Sequence, residues 1–143
     1  MIREINTHDM DDVIILLNEL NPVDIVDKKL LAIHLENLKK NSNIKIYGYE
    51  HENRIVGMVT LGKVEGISMK CQPFAVIENI VVKSTNRNKG IGKKLIVHAM
   101  NQANLWNCYK VILETGTKQD WKLKFYEECG LVKGEKTAYI KRF

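Results

Sequence analysis

The segment from Phe74 to Leu113 constrains the fold more than any other part of the chain. It begins with a nearly continuous apolar run, Phe74 to Val82, which is typical of a strand buried on both faces. A polar turn with two glycines follows, and apolar residues then recur at helical spacing from Ile91 to Ala103. Tyr109 to Leu113 is strand-like again, so a right-handed strand–helix–strand crossover is predicted.

The remaining patterns predict a mixed sheet in a single domain over residues 1–143. The predicted order is β-α-α-β-β-β-α-β-α-β, an α/β fold (α+β mixed sheet). The other predicted elements are a strand at Ile2–Asn6, a helix capped by Thr7, a helix starting at Asp27, strands at Ile44–Tyr47 and Ile55–Leu61, a helix at Lys118–Cys129 followed by Gly130, and a strand at Thr137–Lys141.

The composition favours a protein of a reducing compartment. The three cysteines form no CxxC pair, which argues against a disulfide framework and a zinc ribbon. No apolar run approaches the roughly 20 residues that a membrane span needs, and no secretory signal is visible at the N-terminus. The four histidines lack metal-ligand spacing. We therefore expect a cytoplasmic protein with no metal and no membrane association.

Positive charge is concentrated in the second half of the chain. Residues 72–143 carry 13 Lys/Arg and 6 Asp/Glu, a net charge of +7, whereas residues 1–71 carry 9 and 11, a net charge of −2. A basic half indicates a polyanionic partner, although a solvated lysine-rich surface has the same composition. Aromatic residues are not interleaved with the basic ones, so a phosphorylated small molecule is expected rather than a nucleic acid.

The turn Arg87–Gly92 has the features of a pyrophosphate cradle. A helix start leaves backbone N–H groups unpaired and carries a partial positive charge. Glycines at 90 and 92 let a phosphate approach those groups, and Arg87, Lys89 and Lys93 add charge. The spacing matches neither a Walker A loop nor a dinucleotide fingerprint. A tight turn in which glycine only eases the backbone is the alternative.

Four ordered motifs resemble the GNAT superfamily of N-acetyltransferases. Arg87–Gly92 is similar to the family's acetyl-CoA-binding motif, Q/R-x-x-G-x-G/A. Ile77–Val82 and Leu113–Gly116 look like the strand before the motif and the end of the strand after it. Phe125–Leu131 is similar to the FYExxGF signature, with leucine in place of the commoner final phenylalanine. The resemblance is strong over residues 74–131, and the first half matches in element order alone.

The resemblance implies a GNAT-like acyl-CoA N-acyltransferase fold, with two central strands splayed apart around acetyl-CoA. The pantetheine arm would pair with the open edge of the first strand, and the pyrophosphate would bind the glycine-rich turn. The cofactor-binding residues implied in this way are Ile80, Val81, Val82, Arg87, Asn88, Lys89, Gly90, Ile91, Gly92 and Lys93.

The resemblance also suggests two residues for the chemical step. Tyr126 matches a tyrosine that faces the cofactor sulfur in many relatives, where a phenol can donate a proton to the departing thiolate. Glu78 matches a strand carboxylate that some relatives use as a general base, directly or through water. Each has a structural alternative: Tyr126 as a packing residue, and Glu78 as a carboxylate paired with a neighbouring strand.

The resemblance therefore predicts an N-acetyltransferase that moves an acetyl group from acetyl-CoA to a primary amine of a small molecule. Direct attack in a ternary complex is expected, and a homodimer is compatible with the resemblance. A protein N-terminal or lysine acetyltransferase, or a non-catalytic acyl-CoA-binding module, are the alternatives. The segment from Asn107 to Val111, together with FYExCG, is similar to amino-sugar-phosphate N-acetyltransferases, although the chain departs from them after Leu113.

Overall fold

A computed structural model describes all 143 residues of the chain. The chain forms two compact units, Met1–Leu113 and Glu114–Phe143. The first unit contains the sheet and the second contains one helix. One domain over the full chain stays a prediction.

The first unit is a five-stranded mixed sheet with three helices. The strands are β1 (Ile2–Glu4), β2 (Ile44–His51), β3 (Arg54–Val64), β4 (Phe74–Val82) and β5 (Val111–Leu113), and the helices are α1 (Met10–Leu20), α2 (Lys28–Lys39) and α3 (Ile91–Leu105). The strands lie in the order β1-β2-β3-β4-β5; all neighbours are antiparallel except β4 and β5, which are parallel. The predicted crossover through α3 and the mixed α/β fold are confirmed.

Polar side chains determine where the first two helices begin. Asp27 accepts hydrogen bonds from the Lys29 and Leu30 N–H groups, which confirms it as the cap of α2. Thr7 was the wrong cap for the first helix, because Asn6 forms a capping box with Asp9 around a short 3-10 turn that precedes α1.

Neighbouring residues of β3 face opposite layers of helices. Met58 belongs to a buried cluster with Val13 and Leu16 of α1 and Leu35 of α2. Gly57 faces α3, because a Cβ atom placed on it would lie 3.1 Å from Leu95 Cδ1. Helices α1 and α2 therefore cover one face of the sheet and α3 covers the other.

A β-bulge changes the course of β4 near its carboxyl end. Glu78 lies opposite Thr60 and Val81 lies opposite Met58, so β4 has one residue more than β3 between these pairs. Asn79 occupies the bulge with a φ of +52°, a conformation that asparagine tolerates better than most residues. Strand β5 pairs only with Ala75–Ile77, so β4 beyond Ile77 is open on that side.

The second unit contains α4 (Asp120–Glu128). The N–H of Gly130 donates to the Glu127 carbonyl and that of Leu131 to the Tyr126 carbonyl, which forms a Schellman motif with Gly130 at a φ of +96°. The predicted role of Gly130 at the end of the helix is confirmed.

The prediction of a strand at Thr137–Lys141 was wrong. Tyr139 is 93% exposed and Ile140 is 67% exposed, and the segment has no regular secondary structure. A strand is stable only when it pairs with a neighbouring strand and buries one face. The five residues Thr137–Lys141 have a strand-like composition, but composition alone provides neither a pairing partner nor a buried face.

Candidate active site

The start of α3 leaves backbone donors available. The loop between β4 and α3, residues 83–90 (the β4–α3 loop), contains two residues in the left-handed region, Asn88 at a φ of +61° and Gly90 at +74°. Gly90 precedes α3 with no side-chain cap, and no atom lies within 4 Å of the position that its Cβ would take. The N–H groups of Ile91, Gly92 and Lys93 therefore fit an anionic group.

At the start of α3, one apolar side chain is buried and the lysine side chains are exposed. Ile91 is buried at 5% exposure and anchors the first turn of α3. Lys89 and Lys93 are exposed, as expected for residues that attract an anion from solvent. Lys94 instead lies over the Tyr49 ring, with its Nζ 5.6 Å from the ring centroid.

The side chain of Arg87 is 53% exposed, but its guanidinium is engaged by neighbouring groups. Its Nε donates to the Val82 carbonyl at 3.0 Å, and its Nη2 donates to Glu19 Oε2 at 2.9 Å. Glu19 also accepts from the Ser84 N–H at 2.8 Å and the Ser84 hydroxyl at 3.0 Å. The sequence pattern predicts Arg87 as a cation beside the phosphate, whereas in the structure its guanidinium contacts a carboxylate and a carbonyl.

The open edge of β4 presents the backbone of Val82. The Lys83 N–H donates to the Val56 carbonyl, which makes Gly57 and Val82 a non-hydrogen-bonded pair. The N–H and C=O of Val82 consequently point away from β3; the carbonyl accepts from Arg87 Nε, and the N–H faces the side that β5 leaves unpaired. Two other strand residues were predicted to bind the cofactor. Val81 is buried in the cluster that contains Met58 and Val13, and Ile80 is half-buried.

Glu78 lies next to the bulge, at the point where β4 loses its pairing with β5. Its side chain is exposed and lies opposite Thr60 of β3. A buried carboxylate is costly unless it has a partner or a function, but Glu78 is exposed and does not carry this cost. Its occurrence in an apolar strand is therefore not evidence for a catalytic role. Its position beside the open edge remains the reason to consider it as a base.

Tyr126 belongs to the second unit, and Glu78 belongs to the first. Tyr126 is half-buried on α4, and Phe125 packs edge-on against it with ring centroids 5.3 Å apart. Desolvation raises the pKa of the Tyr126 phenol, and a hydrogen bond with the Thr115 side chain opposes that rise only in part. The phenol is therefore protonated at neutral pH and able to donate.

Three further features bear on the functions that the sequence analysis considered. No group of three or more His, Cys, Asp or Glu side chains could hold a metal ion. No helix combines the length and the apolar character needed to cross a bilayer. His98 of α3 packs edge-on against Tyr47, with ring centroids 4.5 Å apart, and its Nε2 is buried without a hydrogen-bond partner.

Comparisons with known proteins agree with this geometry. The family model described as the acetyltransferase (GNAT) family matches residues 10–131. The glucosamine 6-phosphate N-acetyltransferase of Arabidopsis thaliana is 29% identical over 102 residues, which cover 65% of this chain and 66% of that protein, just under two thirds of its length. The enzyme of the same name from Trypanosoma brucei brucei is 28% identical over 131 residues, or 90% and 86% of the two chains. The crystal structure of the Arabidopsis enzyme superimposes with a TM-score of 0.86 at 25% identity, covering 100% of this chain and 97% of that one.

Proposed function

Because the chain belongs to the acetyltransferase (GNAT) family, a family of acyl-CoA-dependent N-acetyltransferases, we propose that it transfers an acetyl group from acetyl-CoA to the primary amine of a small molecule. The observation that carries the proposal is the uncapped start of α3 beside the open edge of β4. Together they offer donors for a pyrophosphate and an edge for an extended amide chain.

Each part of this surface would bind a different part of acetyl-CoA. The N–H groups of Ile91, Gly92 and Lys93 would bind the pyrophosphate, with Lys89 and Lys93 adding positive charge. The Val82 N–H would bind an amide of the pantetheine arm. Acetyl-CoA supplies an activated thioester, so the chain has to orient the amine, accept one proton from it and donate one proton to the leaving thiolate.

The chemical step we propose is direct attack in a ternary complex. A C–N bond forms and the C–S bond breaks, while the amine loses one proton and the thiolate gains one. Glu78, directly or through water, would accept the amine proton, since it is exposed beside the open edge of β4. The Tyr126 phenol, which is protonated at neutral pH, would donate to the thiolate.

The proposed acceptor is a phosphorylated amino sugar. Two relatives named glucosamine 6-phosphate N-acetyltransferase support this class of acceptor. The similarity of the segment from Asn107 to Val111, together with FYExCG, to amino-sugar-phosphate N-acetyltransferases supports it as well. We further propose that the enzyme works in the cytoplasm, on small molecules rather than on nucleic acids.

The test is release of CoA thiol in the presence of different amines. The panel contains glucosamine 6-phosphate, glucosamine, a polyamine and a peptide with a free N-terminus. We expect release that requires an amine and is fastest with the phosphorylated amino sugar, with product mass showing one added acetyl group. Acetylation of the peptide alone would favour a protein acetyltransferase, and CoA binding without any transfer would indicate a non-catalytic module.

The role of Glu78 needs a separate measurement. Glu78→Gln keeps the shape of the side chain and removes the base, so the rate should fall most at low pH, where the amine is mostly protonated. Parallel pH–rate profiles for the variant and the wild type would leave Glu78 with a structural role.

A further inference from the structure

We propose that Glu19 of α1 is a positioning residue for the β4–α3 loop, and that Arg87 acts as a brace within this loop rather than as a phosphate ligand. The inference rests on the proposed function, because it concerns how the acetyl-CoA site is held in shape. It assigns a role to Glu19, which no sequence motif identifies, and it changes the role that the family motif suggests for Arg87.

Glu19 acts as the cap that the β4–α3 loop does not supply for itself. The loop begins with a 3-10 turn, Ser84–Asn86, whose first N–H groups receive no side-chain cap from Lys83. The Glu19 carboxylate accepts from both the N–H and the hydroxyl of Ser84. Its side chain is only 22% exposed, so these hydrogen bonds are partly shielded from water.

The Arg87 guanidinium makes contacts in two directions at once. Nε donates to the Val82 carbonyl at the end of β4, and Nη2 donates to Glu19 at the end of α1. This fixed fork geometry is available to arginine and not to lysine, whose ammonium is a single point on a flexible stem. The positive charge of Arg87 is also balanced by Glu19, so attraction of phosphate is left to Lys89, Lys93 and the α3 backbone.

This arrangement holds the loop in place before acetyl-CoA binds. The brace joins the end of β4, the turn at Ser84 and α1, and the same loop leads directly into the first turn of α3. Holding the donors in position lowers the entropy that binding would otherwise cost. Loss of the brace should therefore weaken the binding of acetyl-CoA without changing the chemistry of the bound complex.

The first experiment compares Glu19→Gln with Glu36→Gln. Both remove one carboxylate charge from a helix, but Glu36 is an exposed residue of α2 that pairs with Lys39. We expect Glu19→Gln to bind CoA about tenfold more weakly, with the acetyl-CoA KM raised and kcat at saturation kept. Glu36→Gln should match the wild type. Unchanged or tighter binding in Glu19→Gln would overturn the proposal, because freeing Arg87 would then be neutral or helpful.

The second experiment uses Arg87→Lys and the double variant Glu19→Gln/Arg87→Lys. If Arg87 is a brace, lysine cannot make both of its hydrogen bonds, so Arg87→Lys should bind CoA more weakly than the wild type. The double variant should lose no more CoA affinity than either single variant, because both changes break the same contact. Retained affinity in Arg87→Lys, or additive losses in the double variant, would contradict it.

Hydrogen exchange of the Ser84 amide tests the brace without any ligand. It should be faster in Glu19→Gln than in the wild type and unchanged in Glu36→Gln. Failure of the wild type to bind CoA would refute the proposed function alone, whereas equal exchange rates in all three proteins would refute the brace.

Discussion

Gly57 of β3 sets how closely α3 can approach the sheet. A Cβ atom at this position would lie 3.1 Å from Leu95 Cδ1, 3.2 Å from Ile91 Cγ2 and 3.2 Å from the Val81 carbonyl oxygen. Leu95 is fully buried, and the carbonyl belongs to β4, so none of the three atoms can move aside easily. Gly57→Ala should therefore push the first turns of α3 outward by a few tenths of an ångström.

The expected cost follows from opposing contributions to the free energy of unfolding. Overpacking a tight core costs about 1–3 kcal/mol, whereas replacing glycine in the unfolded chain stabilises by about 0.4–1 kcal/mol. The midpoints of these two ranges leave a net loss of about 1.3 kcal/mol, which lowers Tm by roughly 3–6 °C in a chain of this length. CoA affinity should fall as well, because Ile91 is in the turn that we propose to bind the pyrophosphate.

Gly62→Ala is the matched control on the same strand. A Cβ atom there would meet only the Val76 carbonyl oxygen, at 4.0 Å, and neither glycine has a left-handed φ. The control has no clash to offset the unfolded-chain contribution, so it should be as stable as the wild type or more stable by up to about 1 kcal/mol. Thermal unfolding and calorimetric titration with CoA would be measured for both variants. Equal stability and equal CoA affinity in Gly57→Ala and Gly62→Ala would refute the role assigned to the contact.

Three further predictions concern catalysis, pH and salt. Tyr126→Phe should lower kcat on the order of 100-fold with little change in the acetyl-CoA KM; wild-type turnover in steady-state kinetics would mean that Tyr126 only packs. The hydrogen bond from Arg3 lowers the pKa of Asp9 below its usual 3.8. The resulting stability is present above that pH and is lost as the pH falls through the folded-state pKa. The free energy of unfolding, measured with urea at a series of pH values, should therefore fall less steeply at acid pH in Asp9→Asn than in the wild type. Parallel curves for the two proteins would contradict this. The dissociation constant for CoA should rise with ionic strength, and a constant value would remove Lys89 and Lys93 from the site.

The sequence predicts this fold well where local patterns determine structure. The apolar run of β4, the spacing of α3 and the turn between them were recognisable because each depends on neighbouring residues. Asp27 and Gly130 were also identified, since caps act within a few residues of a helix end.

The remaining features depend on contacts between distant parts of the chain. Glu19 lies 65 residues from Ser84 and 68 from Arg87, so no local pattern could show that they meet. The bulge at Asn79 depends on the register against β3 and is invisible in β4 alone. Glu78 likewise lies one residue beyond the last β4 residue that pairs with β5, and hydropathy cannot predict where that pairing stops.

Binding of CoA to Gly92→Asp tests the central claim most directly. Gly92 is the second residue of α3, where a carboxylate interacts favourably with the helix dipole, so the variant should remain folded. The same carboxylate would repel the pyrophosphate, and we expect calorimetry to show CoA affinity reduced by about 100-fold, or about 2.7 kcal/mol. Gly92→Asn, which has the same size without the charge, should lose less. An unchanged affinity in folded Gly92→Asp would contradict the claim that the start of α3 binds the pyrophosphate of acetyl-CoA.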